Sequence, residues 1–503
     1  MKVSVRSSEI VKPRPLKSKT AMNGEVDEDE QRRRPPFKLC FLDQVTPPYY
    51  TPLVLFYPLT RKESKIAHWS PELMSKNLKE SLSRALDSFY PLSGRVKDNA
   101  IVDDFEAGVP FVETRIQGHR VSEFLDPPKL EFLNKLLPVE PCCRHTEPGQ
   151  LPPPQVTVQM NTFDCGGIAI GLCFYHQTMD GATISTFLET WAAHSRQLIT
   201  PDDSANKIAH VSAKDLSGGY STFPPPPSGV PPQYVSLIDT LWFPPEKNTA
   251  ATAATTRRFV ISNRAIATLK SRATGIENPT RTEAILAFVW KSMLAAAADS
   301  ESPKPSCLCQ AVNLRSRMKK KNSTHGHDLV FSPHSIGNLF SVAVSFCDNP
   351  DDDVDDDVDK TRTSLVNTWD LAVHIRGGVK RLLDEKWLGL LSSEQGAEMV
   401  FEGMKQLRSG QRPFVSFSSW IGFGFGDVDF GWGTPAWSGV VGEASGNNPI
   451  MGNTVLLKEL APKGEEINNG VELWMRVDPV LMASLEKNPQ FLEMASPNPP
   501  IVF

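Results

Sequence analysis

Two residue types at a fixed spacing can do chemistry in this chain. His176 is followed by Asp180 and Gly181 in the stretch Gly166-Gly-Ile-Ala-Ile-Gly-Leu-Cys-Phe-Tyr-His176-Gln-Thr-Met-Asp180-Gly181. An imidazole is largely neutral near pH 7, so it can take a proton from a hydroxyl and return it to a leaving group. The carboxylate four residues on admits two roles: orienting the imidazole as in a hydrolase triad, or standing in an ion pair. The chain holds 10 His, and a chance His-x-x-x-Asp is then about an even bet. Asp429-Phe-Gly-Trp-Gly433 is more specific: five specified residues, one of them Trp, arise by chance in fewer than ~1 in 10,000 chains of this length. The sequence places no convincing nucleophilic Ser or Cys beside His176, which favours direct attack over an acyl-enzyme. No G-x-S-x-G elbow and no G-x-x-x-x-G-K-[ST] loop occurs, which removes the α/β-hydrolase and P-loop readings. Gly431-x-Gly433-x-x-Ala436 formally matches a dinucleotide fingerprint, but Trp432 and Pro435 are wrong for a phosphate-cradling turn.

The elements around His176 follow from the residue pattern. Residues 168 to 175 are apolar or small and rich in β-formers, as in a strand buried on both faces. Asp180-Gly181 breaks that pattern. From Ala182 a helical spacing puts Ile184, Phe187, Leu188 and Trp191 on one face. The strand delivers His176 to the rim of a rigid sheet.

At 503 residues the chain has room for two or three domains, each with its own core. The net charge of -5 argues against a nucleic-acid partner, which needs a strongly basic face. The 8 Cys form no CxxC pair, so no zinc or other metal site is expected, and the sparse thiols fit a reducing compartment. Met1 to Pro15 has no apolar signal region. The apolar stretch Ala284 to Ala298 is too short for a membrane span and contains Lys291. These features together read as a cytoplasmic enzyme.

Residues 1–36 are polar and charged, and are expected to form a disordered extension. The domain expected over 37–199 carries a helix from Ser70 as N-cap and Pro71, through Leu86. Arg95 is expected in a structural ion pair. Residues 200–254 hold Pro224 to Pro227, Pro231-Pro232 and Pro244-Pro245, which reads as an extended, surface-running crossover. A second domain, 255–503, opens with the strand Arg257 to Ile261. It continues through a helix after Thr280, a strand over Leu308 to Leu314 and a strand over Val415 to Trp420. His325, His327 and His334 lack acidic or thiol partners at ligand spacing. The acidic run Asp351 to Asp359 lacks the Gly and Glu of a calcium loop and reads as a solvated loop.

With its two motifs in this order, HxxxD then DFGWG, the chain resembles the BAHD family of CoA-dependent acyltransferases from about Phe37 to the C-terminus. Leu39-Cys-Phe-Leu-Asp43, Leu53-Val-Leu-Phe-Tyr57, Phe89-Tyr-Pro-Leu-Ser-Gly-Arg95, Pro279-Thr-Arg-Thr-Glu-Ala284, Val312-Asn-Leu-Arg315 and Gly337-Asn338 fall in family order. The resemblance implies an α/β (α+β) fold: two similarly folded domains, each a mixed sheet with flanking helices, enclosing a central tunnel. His176 would sit midway along that tunnel as general base, with acyl-CoA entering from one side and a small-molecule alcohol from the other. Asp180 would turn away into an ion pair with Arg315, and an Asp429 salt bridge would hold the DFGWG loop near the CoA entrance. Ser418 and Trp420 match tunnel-facing positions and are candidates for stabilising an oxyanion. The catalytic set expected is therefore His176, Asp180, Asp429, Ser418 and Trp420, and the CoA contacts Lys291, Arg315, Gly431, Trp432 and Gly433.

Leu42, Asp43, Gln44, Pro47 and Tyr49 are similar to the opening of the family branch that contains vinorine synthase and related alkaloid acetyltransferases. The malonyltransferase signature YFGNC is replaced by Ser335-Ile-Gly-Asn-Leu339. Acetyl-CoA, a hydroxylated alkaloid or terpenoid, and a monomeric enzyme are the expectations. The alternatives are a non-catalytic binding protein of the same fold and a carrier-dependent condensation enzyme. Condensation enzymes usually carry a second His where this chain has Tyr175.

Overall fold

A computed structural model describes residues 1–15, 34–58, 70–142, 151–201, 211–227, 229–242, 254–273, 275–298, 304, 306–318, 330–347, 368–391, 393–409, 413–442, 453–460 and 470–502. The expectations for His325, His327, Pro244-Pro245 and Asp351 to Asp359 fall outside these residues.

The N-terminal half is built on strands β1 (Lys2–Val11), β2 (Tyr50–Tyr57), β3 (Val109–Gln117), β4 (Val156–Phe163) and β5 (Ile168–Tyr175). Their spatial order is β1-β3-β4-β5-β2, with β3 and β4 parallel and the other neighbours antiparallel. All eight residues of β5 are buried. Helices α1 (Pro71–Ser88) and α2 (Gly181–Ile199) pack on each other, with the Trp191 indole N–H donating to the Leu78 carbonyl at 3.1 Å. Against Gly171 of β5, an added Cβ would stand 1.9 Å from the Leu136 carbonyl oxygen, so only glycine lets the 130–137 segment lie on that strand. The local start signals hold. Ser70 accepts from the Leu73 N–H with Pro71 at the first helical position, and Asp180 caps α2 by accepting from the Thr183 N–H at 2.9 Å.

The C-terminal half follows with β6 (Thr255–Ser262), helix α3 (Arg281–Ala298), β7 (Cys307–Asn313), β8 (Phe340–Phe346), helix α4 (Thr368–Leu382), β9 (Phe414–Ser419), β10 (Trp437–Gly439), β11 (Asn453–Glu459), β12 (Gly470–Val477) and β13 (Ser496–Pro497). Its sheet runs β8-β7-β9-β11-β12-β6-β13 and mixes parallel and antiparallel pairs. Strand β10 leaves this half and pairs antiparallel with β2, Trp437 opposite Phe56. The fold is therefore mixed α/β with two sheet-containing domains, and β10 ties one to the other. A buried ionic cluster reinforces the tie. Glu472 of β12 accepts from Trp437 Nε1 at 2.7 Å and meets Arg258 Nη2 at 2.9 Å and Lys458 Nζ at 3.0 Å. Burial pushes Glu472 up, but the two cations outweigh it and hold the carboxyl at about 2.

Three expectations need correction. Residues 2–11 of the supposed disordered extension form the edge strand β1, register Lys2 with Gln117 through Val11 with Val109. At its end Val11 is buried, and on the same face Glu9 meets Lys79 of α1 at 2.7 Å. The crossover is not an extended path. Its described part holds helices Ala213–Leu216, Gly218–Thr222 and Pro232–Trp242, and it buries Leu216, Phe223, Leu237 and Ile238. Pro232 begins a helix, where a missing N–H costs nothing. Arg95 makes no ion pair among the described residues; its guanidinium donates to the carbonyls of Ser93, Gly94 and Gly108.

Candidate active site

Strand β5 ends in a backbone bond from the His176 N–H to the Tyr49 carbonyl, 2.8 Å, which fixes where the imidazole leaves the sheet. The side chain is half-buried. Tyr49 meets it edge-on at 5.1 Å between centroids, and Phe340 of β8 stands at 6.2 Å. Burial holds the imidazole pKa below its ordinary value, while its Asn338 partner and the charge of Asp180 pull the other way. The neutral form a base needs is thus favoured at pH 7.

Nδ1 of His176 lies 3.2 Å from Asn338 Oδ1. The Asn338 amide cannot be turned round: its Nδ2 faces Asp43 Oδ1 at 3.1 Å, the His176 carbonyl at 2.8 Å and the Gln177 carbonyl at 2.9 Å. Only an amino group satisfies three oxygens, so Oδ1 must face the ring and Nδ1 must carry the proton. That leaves the Nε2 lone pair free to accept one. Asn338 holds the imidazole as a triad carboxylate would.

Asp180 does not fill that role. Its Oδ2 accepts from Arg315 Nη1 at 2.6 Å and from the Leu339 N–H at 3.1 Å, and its Oδ1 caps α2. Arg315 Nη2 donates at 3.0 Å to each of the Ser335 and Gly337 carbonyls and to Thr183 Oγ1. Of the two readings of this carboxylate, the ion pair is the one present. The pair also pins the 335–339 segment, and that segment carries Asn338 to the imidazole. Gly337 is required there: it has φ +123°, and a Cβ on it would stand 3.0 Å from Asp43 Oδ1. Gly181 serves close approach, since a Cβ would meet the Phe423 ring at 2.5 Å.

Asp429, expected among the catalytic residues, sits at the other end of α2. Its Oδ1 accepts from the N–H groups of Gly431 at 2.7 Å and Gly433 at 2.9 Å, and Arg196 donates to its carbonyl at 2.5 Å. Among the described residues Asp429 makes no salt bridge; hydrogen bonds between side chains and backbone groups hold the loop. Arg196 lies 16 residues beyond Asp180, about 24 Å along a helix. Gly431 (φ +106°) rests against Ile199, and Trp432 is buried against Tyr57 and Phe430. Gly433 is exposed on the same loop. Both terminal nitrogens of Arg315 are committed internally, and Lys291 is exposed on α3. Ser418 is exposed on β9. The Trp420 indole Nε1 lies 3.2 Å from where a Gly181 Cβ would be, which puts it at the His176 end of α2. Of the expected set, the structure gathers His176, Asp180, Arg315 and Trp420 at one place and Asp429, Gly431, Trp432 and Gly433 at another.

Asn338 and Asp43 were legible only as motif letters, with no role attached. Their signal is a polar side chain, buried to within 1%, inside an otherwise apolar context.

The sequence profile of the Transferase family matches residues 2–492. Akuammiline synthase 2 of Alstonia scholaris is 30% identical over 475 residues, 92% of this chain and 93% of that one. Limonoid 7-O-acetyltransferase of Citrus sinensis is 31% identical over 486 residues, 92% and 94% of the two chains. The solved structure of vinorine synthase, 25% identical, covers 98% of both chains with a TM-score of 0.67. The chain belongs to the BAHD transferase family and is a CoA-dependent acyltransferase, a family whose co-substrate is acyl-CoA.

Proposed function

We propose that the enzyme transfers an acetyl group from acetyl-CoA to a hydroxyl of an alkaloid or terpenoid, by direct attack in a ternary complex with His176 as the base. Nε2 takes the hydroxyl proton as the oxygen attacks the thioester carbonyl carbon. The tetrahedral intermediate then collapses with cleavage of the C–S bond, and Nε2–H returns the proton to the leaving thiolate. The observation that carries this reading is the Asn338 amide on Nδ1, which leaves Nε2 as the basic nitrogen. No Ser or Cys side chain bonds the imidazole among the described residues, which supports direct attack. The Trp420 indole N–H at the same end of α2 is the donor we assign to the oxyanion, with Ser418 beside it on β9.

The acyl and acceptor classes rest on the relatives, whose names include acetyltransferases acting on limonoids and on stemmadenine. We propose a cytoplasmic monomer working in a reducing compartment; among the described residues no helix is long and apolar enough to cross a membrane, and no disulfide links the described cysteines. The experiment is turnover of purified protein with several acyl-CoAs against a panel of alkaloid and terpenoid alcohols, read by mass spectrometry. Acetyl transfer that falls at least ~100-fold in His176→Ala supports the reading. Wild-type turnover in that variant overturns it.

A further inference from the structure

We infer that Asp43 is a positioning residue for acyl transfer, acting through Asn338 to hold His176 with its proton on Nδ1. This rests on the reading of His176 as the base. Asp43 lies 133 residues before that histidine, on the short helix Phe41–Gln44, and its side chain is buried to 1% exposure. Its Oδ1 accepts from the Asn338 backbone N–H at 2.7 Å and from the Asn338 amide Nδ2 at 3.1 Å. Its Oδ2 accepts the Cys40 N–H at 3.0 Å. The line runs Asp43 carboxylate, Asn338 amide, His176 Nδ1–H. A negative charge at one end polarises the amide and makes its oxygen a better acceptor, which favours the imidazolium that forms as the hydroxyl proton moves. Since Asp180 is committed to Arg315, Asp43 is the carboxylate that stands in line with the base, one amide removed.

The network also depends on the charge state of Asp43. Burial pushes its carboxyl up to about 6, while the Asn338 and Cys40 donors resist that rise. Every contact Asp43 makes to the backbone or to Asn338 is to a donor, so a proton on the carboxyl would face N–H groups and break the arrangement. The facing titratable groups are few. The Cys40 thiol is held well above its ordinary value by burial and stays neutral, His176 lies across Asn338, and the Asp180–Arg315 pair holds the next turn of the 335–339 segment. A purely structural role for Asp43 is also defined: it closes the Cys40 N–H at the start of a four-residue helix.

The test is Asp43→Asn in the full chain, with kcat, both KM values, the pH profile of kcat/KM and the melting temperature measured beside wild type and His176→Ala. The expected result is a kcat loss of about ten- to a hundredfold, a fraction of what the base itself contributes, with little change in KM. Wild type should lose kcat/KM on acidification with two protonations, of Asp43 and His176. The variant should show a one-proton limb at lower pH, because removing the anion lowers the imidazole pKa. If kcat and the limb are unchanged and only the melting temperature falls, Asp43 is a helix cap and the inference is overturned. Should the variant not fold, 15N-histidine spectra of the wild type decide, with His176 assigned by difference from His176→Ala. A neutral ring protonated on Nδ1 supports the inference, and one protonated on Nε2 overturns it. Wild-type turnover in His176→Ala would instead remove the base reading on which it rests.

Discussion

The two ends of α2 carry the two signature motifs of the chain and hold them by opposite means. At the Asp180 end the side chains are buried, polar and mutually bonded: Asp180 to Arg315, Arg315 to the 335–339 backbone, Asn338 to His176. At the Arg196 end the contacts are aromatic and backbone: Phe430 against Trp191 at 5.0 Å, Trp432 against Tyr57 at 6.3 Å, and Asp429 closing on its own loop. Buried polar networks fix one arrangement because each unsatisfied member is costly, which is what a base needs. Aromatic packing and backbone bonds fasten two halves together without offering a free titratable group. A recognisable motif therefore does not by itself mark chemistry; what its polar atoms bond to does.

The comparison can be broken first at the His176 end, where the largest effect is expected: His176→Ala should remove at least ~100-fold of turnover, measured by product formation, with the melting temperature nearly unchanged. Asp180→Ala and Arg315→Ala come next. Each leaves a buried charge alone and should cost about 3 kcal/mol of stability, and the double variant should cost less than the sum in thermal unfolding. Both should also lower kcat, because the pair holds the segment that carries Asn338. Additive stability losses would mean the two side chains do not act together.

At the other end, Asp429→Ala removes an acceptor shared by two backbone N–H groups and should cost about 1–3 kcal/mol, with kcat per folded molecule retained.

A smaller effect sharpens the contrast through pH. Burial, followed by the nearby Arg84 and Arg14, lowers the His194 imidazole on α2 to about 4. The unfolded chain takes up that proton near the ordinary imidazole value and the folded chain does not until about pH 4. The stability from the neutral ring is thus present above pH 6.5 and lost as pH falls towards 4. His194→Leu should flatten the fall in unfolding free energy across that window by on the order of 1–2 kcal/mol after solvent screening. An equally steep fall in the variant would assign the acid sensitivity elsewhere.

Much of the site was readable from the chain because it is local. The run of apolar residues before His176 specified a buried strand, and Asp180 followed by a helical spacing specified a cap. The Asp43–Asn338–His176 line was not readable, since its members lie 295 and 162 positions apart and no periodicity links them. Strand β1 was missed for a different reason. A register shift between Val5 and Ser7 interrupts its alternation, and an edge strand with a polar open face has the composition of a disordered tail. Strand β10 is three residues long and joins the sheet of the other half, so its partner could not be inferred from its own neighbourhood.

The most direct test of the difference between the two ends is to measure kcat and melting temperature for His176→Ala and Asp429→Ala in one assay, at equal concentrations of folded protein. The account predicts that the losses separate, turnover alone for His176→Ala and stability alone for Asp429→Ala. Parallel losses of turnover in both variants, or wild-type turnover in His176→Ala, would contradict it.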